Sequence, residues 1–300
     1  MIKSIHIEAT NLCTLKCAGC ARTQFINNWP TRWKNHSIDI AALRDFLNID
    51  LTGVEVHLCG TYGDPIYHPK FHLLIAMLKD KSAKIKITTN GSHKNTKWWN
   101  TLLDLLDADD VIEFSIDGMP DNFTTYRVNG DWSSIAKGIK CAAASSVTTG
   151  WKYIPFKFNE DCIADAESLA TELGIDYFYL EKSDRFEDVL AELKPIDILQ
   201  HDRTPHRASA KLGNSVELDP KCHKGVMHYI SADGHYMPCC FIHDHRAYYK
   251  TPFGKNKQGY QIANNTIVKT VQGPELLEFV NNVQRDQPMV CQMNCPRIGK

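Results

Sequence analysis

Three cysteines, Cys13, Cys17 and Cys20, fall at C-x3-C-x2-C spacing just after a short apolar run, Ile5-His6-Ile7, that reads as a strand. A strand that leads into a tight loop can aim three thiolates at one point. Three thiolates are one short of the four that fill a [4Fe–4S] cluster, so one iron would stay open to a non-protein ligand. A structural zinc site asks for four nitrogen or sulfur ligands, usually in paired knuckles, and this stretch holds only one such tight pair, Cys17 and Cys20.

A second set of thiols lies toward the other end. Gly234 follows Cys222 after eleven intervening residues, and Cys239 follows after four more, with Cys240 next to it. Residues 228–238 read as a hairpin with Asp233-Gly234 at its turn, which would bring Cys222 and Cys239 near each other. A helix over Pro274–Val283 leads to the last pair, Cys291 and Cys295. Four thiolates are enough to close a second [4Fe–4S] cluster. A four-thiolate zinc knuckle is the alternative, although zinc ligands usually come in tighter pairs than the Cys222–Cys239 gap. The glycine spacing selects Cys239, and strand alternation would point Cys240 the other way.

The elements that would position these groups alternate. Strand signals at Val54–Leu58, Lys84–Thr89, Val111–Ile116, Trp151–Phe158 and Asp176–Leu180 follow the first strand. Helix signals at Asp39–Leu47, Phe71–Lys79, Lys97–Leu106, Trp132–Ala144 and Ala164–Leu173 lie between them. Six strands alternating with helices imply βαβ units, a parallel sheet and a partial barrel. Sites in such sheets gather at the C-terminal strand ends. Polar motifs occupy those ends: Gly60-Thr61-Tyr62-Gly63-Asp64-Pro65, Thr89-Asn90-Gly91, Ser115-Ile116-Asp117-Gly118 and Phe158-Asn159, with Tyr126-Arg127 beyond the fourth strand. Taken singly, each has a plain reading as a turn or a solvated loop residue.

Composition narrows the class. A chain of 300 residues with 43% hydrophobic content can bury a real core, and a formal net charge of −1 gives no general case for nucleic acid or an anionic membrane. The start lacks the apolar run of a signal peptide, and no run approaches the ~20 residues of a membrane span. Eleven cysteines without a secretory signal point to a reducing, cytoplasmic setting and to metal or catalytic use. Residues 200–211 are polar and basic and read as a linker, and His243-Asp244-His245 reads as a solvated loop. A helix is expected over Phe186–Leu193, and Cys59, Cys141 and Cys162 read as small packed residues.

The first cysteine set resembles the radical SAM superfamily, where C-x3-C-x2-C follows the first barrel strand. Cys222, Gly234, Cys239 and the late pair resemble the SPASM/Twitch auxiliary-cluster extension, in its shorter one-cluster form. The resemblance implies a partial (β/α)6 barrel over 1–185, a helix and linker over 186–214, and a small α+β auxiliary-cluster domain over 215–300. It implies S-adenosylmethionine on the open iron of a cluster held by Cys13, Cys17 and Cys20. Tyr62, Gly63, Asp64, Asn90, Ser115, Asp117, Arg127 and Asn159 would stand around that cofactor, with Asp64 toward the methionine amino group and Arg127 toward its carboxylate. Tyr62 and Asp64 depart from the family's Gly-Gly-Glu-Pro pattern. Cys222, Cys239, Cys291 and Cys295 would hold the second cluster, and a flavodoxin or ferredoxin would supply electrons. The implied outcome is oxidative modification of a peptide or protein side chain. A sugar, alcohol or nucleotide dehydrogenase or cyclase is the alternative, favoured by a first strand that lies close to Met1. A non-catalytic metal or electron-transfer protein is the remaining one.

Overall fold

The computed structural model describes residues 2–181, 183, 188–196, 217–243 and 248–295. The basic stretch 200–211, and Asp244 and His245, lie outside the described residues. Eight strands form one open sheet: β1 (Ser4–Ile7), β2 (Glu55–Leu58), β3 (Lys84–Thr89), β4 (Val111–Ser115), β5 (Thr148–Tyr153), β6 (Tyr177–Leu180), β7 (His228–Ile230) and β8 (Tyr236–Met237). Their order is β6-β5-β4-β3-β2-β1-β7-β8. The first six run parallel, joined by helices α1 (Ala21–Asn28), α2 (Ile40–Phe46), α3 (Phe71–Lys79), α4 (Thr96–Leu103), α5 (Trp132–Ala143) and α6 (Ile163–Glu172).

The two faces of the sheet differ in kind. Ile5, Ile7, Val56, Leu58, Ile85, Ile87, Ile112, Phe114 and Trp151 alternate along their strands and are buried in one core with Leu74, Ile75, Leu78, Trp99, Leu102, Ile135 and Ile139 of the helices. Burial of one such side chain contributes about 1.5–3 kcal/mol, so this layer supplies most of the drive to fold. Helix starts are set by side-chain caps: Asp39 accepts from the Ala42 N–H at 2.8 Å and Asn95 from the Trp98 N–H at 2.9 Å. The inner face carries the residues between. Register aligns His6 with His57 and Lys86, Thr88 with Glu113, and Ser115 with Lys152 and Tyr179.

Two sequence expectations shift. The fifth strand runs over Thr148–Tyr153 rather than Trp151–Phe158. Thr148, Thr149 and Gly150 pair with Val111, Ile112 and Glu113, and the strand stops before Pro155, where Asp117 accepts from the Ile154 N–H at 2.9 Å. Helix α1, directly after Cys20, buries none of its side chains and so leaves no apolar periodicity to read. Of the helix expected at Phe186–Leu193, the described part, Asp188–Leu193, is a 3-10 helix.

The C-terminal hairpin forms around Asp233-Gly234, with Gly234 at φ 80°, and extends the main sheet. β7 pairs parallel with β1, His228 opposite Ile5 and Ile230 opposite Ile7. His228 is buried there, with Nδ1 2.7 Å from the Tyr236 hydroxyl. Burial depresses its pKa from 6.5 to about 4. The folded chain therefore binds fewer protons than the unfolded chain between those values, and this group's stabilisation is present above pH 6.5 and lost as pH falls toward 4. Urea unfolding is expected to weaken across that window by up to about 3 kcal/mol from this group. The slope should flatten in His228→Gln; equal slopes in the two proteins would contradict the assignment.

Candidate functional site

Cys13, Cys17 and Cys20 sit on the loop between β1 and α1, at the C-terminal end of the parallel sheet. Cys17 is buried and the other two half-buried. Burial pushes the Cys13 thiol up to about 12 and the Cys17 thiol up to about 11, and the neighbouring cysteines push in the same direction. The three are thus close enough to oppose one another's ionisation, and a bound cation would reverse that. Donors face these sulfurs: the Leu15 N–H lies 3.4 Å and the Asn90 amide 3.7 Å from Cys13 Sγ, and the Arg127 charge acts on Cys17. Thiolates with N–H donors and a cation beside them fit a cluster of iron and sulfide, whose charge and potential such contacts tune.

Asp64 is the hub of the opening. Its carboxylate accepts from Asn90 N at 2.6 Å, Asn90 Nδ2 at 2.5 Å, Thr89 Oγ1 at 2.8 Å and Ile66 N at 3.3 Å. Burial pushes this carboxyl up, against those hydrogen bonds. Three of the four partners are N–H groups that can only donate, which suits the ionised form. Its own N–H donates to Leu12 O at 2.9 Å. Asp64 therefore ties the ends of β2 and β3 to the cysteine loop.

The backbone of Tyr62 and Gly63 is held by a residue that sequence reading passed over. Glu8, one residue beyond β1 and 1% exposed, accepts from Tyr62 N at 2.6 Å, Gly63 N at 3.3 Å and the Tyr229 hydroxyl at 2.8 Å. A Cβ at Gly63 would collide with the Thr10 carbonyl and the Asn11 backbone, so only glycine lets the two loops meet. His243 also enters: its Nδ1 lies 3.0 Å from the Tyr229 hydroxyl, and its ring meets Tyr62 at 5.2 Å. It is packed against the site rather than solvated. An Asp or Glu just past a first strand was the one available signal for Glu8, since such a carboxylate is rarely buried without partners.

Asp117 is fully buried. It accepts from Arg127 Nε at 2.6 Å, and its charge raises the Arg127 pKa against the cost of burial. Among the described residues the other guanidinium nitrogens have no hydrogen-bond partner, and the Arg127 charge acts on Cys17. Ser115 is buried at the end of β4, on the inner face. The Asn159 amide is engaged in its own turn, accepting from Phe156 N at 2.6 Å and donating to Ile154 O at 3.1 Å, and its part is to shape that turn.

The second cysteine set also converges. Besides burial, Cys239 is opposed by the charges of Cys240, Cys291 and Cys222, and Cys291 by those of Cys295 and Cys222. Burial pushes Cys222 up to about 11 and Cys291 up to about 12. Cys240 also bonds His6 of the inner face. Among the described residues no three His, Cys, Asp or Glu side chains are arranged to hold a single metal ion.

Residues 7–171 match the Radical SAM superfamily. The chain belongs to the radical SAM superfamily. Its fold implies a [4Fe–4S] cluster and S-adenosylmethionine, and Cys13, Cys17 and Cys20 supply a donor set of the right chemistry. No curated protein matches the sequence. Solved structures share the fold. SuiB of Streptococcus suis bound to S-adenosylmethionine is 13% identical, with a TM-score of 0.59 over 97% of this chain and 77% of that one. BtrN in complex with AdoMet and 2-DOIA is 16% identical, with a TM-score of 0.52 over 99% and 94%. Native anSMEcpe with AdoMet and the Kp18Cys peptide is 12% identical, with a TM-score of 0.58 over 97% and 88%.

Replacement of Glu8 by Ala leaves the Tyr62 and Gly63 N–H groups and the Tyr229 hydroxyl without their acceptor. Each buried group left unpaired costs about 1–3 kcal/mol. The variant is expected to lose about 3 kcal/mol in urea unfolding and at least tenfold in S-adenosylmethionine affinity by equilibrium dialysis. Unchanged affinity would show that the loop keeps its shape without Glu8.

Proposed function

We propose that this chain is a radical SAM oxidoreductase that modifies a peptide or protein side chain. The observation that carries the reading is that Cys13, Cys17 and Cys20, one buried and two half-buried, share the mouth of the parallel sheet with Asn90, Asp64 and Arg127. When bound, the cluster and S-adenosylmethionine supply an electron and a 5′-deoxyadenosyl radical that takes a hydrogen atom from substrate.

The protein's part is placement. The free end of the Arg127 guanidinium, held by Asp117, suits the methionine carboxylate. Asp64 acts through Asn90, because its own oxygens are already engaged, and Glu8 holds the Tyr62–Gly63 backbone. Ser115, buried at the end of β4, and Tyr62 are further residues that would stand around the cofactor. Cys222, Cys239, Cys291 and Cys295 are the ligands proposed for an auxiliary cluster, which would accept the second electron of an oxidation. The first would leave with the abstracted hydrogen atom, and an external flavodoxin or ferredoxin would deliver the separate electron that cleaves S-adenosylmethionine. A second reading, a small polar molecule as substrate, is favoured by the ionic character of the inner face, where Lys86 meets Glu113 at 3.0 Å.

Anaerobically reconstituted protein with dithionite is expected to release 5′-deoxyadenosine from S-adenosylmethionine, measured by liquid chromatography. The variant with Cys13, Cys17 and Cys20 all changed to Ala should show at least a hundredfold loss. Absence of cleavage in iron-loaded wild-type protein would overturn the reading.

A further inference from the structure

The cysteine loop has an outer side. Thr14 and Lys16 are exposed there, while Leu15 and Cys17 turn inward and are buried. Hydrogen bonds join this side to its neighbours. Thr14 Oγ1 donates to the Tyr67 hydroxyl at 2.8 Å, and that hydroxyl donates to Ser92 O at 2.7 Å. Lys16 N donates to Val128 O at 3.0 Å, and Asn129 Nδ2 to Thr14 O at 3.4 Å. Lys94 Nζ stands 4.8 Å from the centroids of both the Tyr67 and the Trp98 rings. Beside it lies a shallow cavity of about 320 Å³ lined by Tyr67, Lys70, Leu73, Lys94 and Trp98, with no acidic residue in its lining. The segments beyond β1, β2, β3 and β4 thus share one face, on which Leu73 is 61% and Val128 39% exposed.

The charge this face presents is positive. Residues 9–38 hold Lys16, Arg22, Arg32 and Lys34 and no acidic residue. Residues 60–72 hold Lys70 and a single acid, Asp64, and residues 90–97 hold Lys94 and Lys97 and none. Asp64 acts on Lys94 but is buried and does not reach the surface. Asp131 is taken up as the cap of α5, accepting from Ser133 N at 3.1 Å and from Ser134 Oγ. Among the described residues Lys16, Lys70, Lys94 and Lys97 make no ion pair, whereas Lys79, Lys84, Lys86 and Lys224 do. The whole chain carries a formal net charge of −1, so this gathering of unpaired lysines is local.

We infer that this face is the docking site of a one-electron carrier protein with an acidic surface, seated over Thr14–Lys16. The inference rests on the radical SAM reading for the cluster that the carrier would reduce, and it deepens that reading by naming where the partner binds. Electron transfer weakens steeply with distance, so a carrier gains most by seating on the loop that bears the ligands, and this is that loop's exposed side. Electron-transfer encounters bury little surface and use charge to steer and orient the partners. Lysines around small apolar spots, Leu73 and Val128, suit such a contact. In the transfer the carrier loses one electron and the cluster gains it, with no bond made or broken. A single-stranded RNA is the competing polyanion, but it would need free ring faces to stack on. Lys94 covers both the Tyr67 and the Trp98 ring, and Trp98 also packs on Phe71, His72 and Trp99.

The test compares a protein reductant with a chemical one. Binding of a flavodoxin and of a plant-type ferredoxin to the reconstituted protein is measured by calorimetry, and 5′-deoxyadenosine release is driven by the bound carrier or by dithionite. Affinity for at least one carrier is expected to fall about fivefold or more between about 50 and 300 mM salt. Lys70→Glu/Lys94→Glu is expected to lose about tenfold in carrier affinity and in carrier-driven release, with dithionite-driven release kept within about twofold. Lys70→Glu alone, on an exposed side chain, should lose about threefold in affinity and carries the test if the double variant does not fold. Lys255→Glu/Lys269→Glu makes the same charge change at exposed positions of the C-terminal part and should keep both properties. No binding of either carrier, equal losses in that control, or tighter binding of a short oligouridylate overturns the docking site. Absence of release with dithionite would instead fail the radical reading, and the binding comparison would still decide this inference.

Discussion

Everything at the mouth of this sheet depends on one buried carboxylate finding only donors. Asp64 is 5% exposed, and its two oxygens take four hydrogen bonds from Asn90, Thr89 and Ile66. A carboxylate removed from water is costly unless it is paired or hydrogen-bonded, so these partners fix where the ends of β2 and β3 can stand. Asn90 then reaches Cys13, and the Asp64 N–H reaches Leu12. The cysteine loop is thereby referenced to two strands rather than to its own short backbone.

Glu8 does the same work on the other side. Its carboxylate joins the 62–63 loop to Tyr229 of the C-terminal hairpin. That hairpin pairs with β1 instead of forming a sheet of its own. The second cysteine set is consequently tied to the same framework as the first, with Cys240 bonded to His6 of the inner face.

What could be read from the sequence was local. The cysteine spacings, the Asp233-Gly234 turn and the apolar alternation of β2, β3 and β4 are short-range signals, and the strands formed within a few residues of the expected places. β5 shifted because its start, Thr148-Thr149-Gly150, resembles a turn until Asp176 accepts the Thr149 N–H at 2.6 Å. The parts that were not legible are tertiary. Glu8 acquires its partners from positions 54 and 221 residues away, and the fit of Asp117 to Arg127 appears only when the loop after β4 folds back. Side-chain pairs that span the chain leave no periodicity for a reader of one sequence to find.

The proposal that the two cysteine sets hold two separate four-iron sites is tested most directly by metal stoichiometry. Iron and acid-labile sulfide would be counted per chain in anaerobically reconstituted wild-type protein and in two variants. One lacks Cys13, Cys17 and Cys20, the other Cys222 and Cys291. The account predicts about eight irons in the wild type and about four in each variant. Zinc in place of iron, or a wild-type content of about four that the Cys222 and Cys291 substitutions leave untouched, would contradict it.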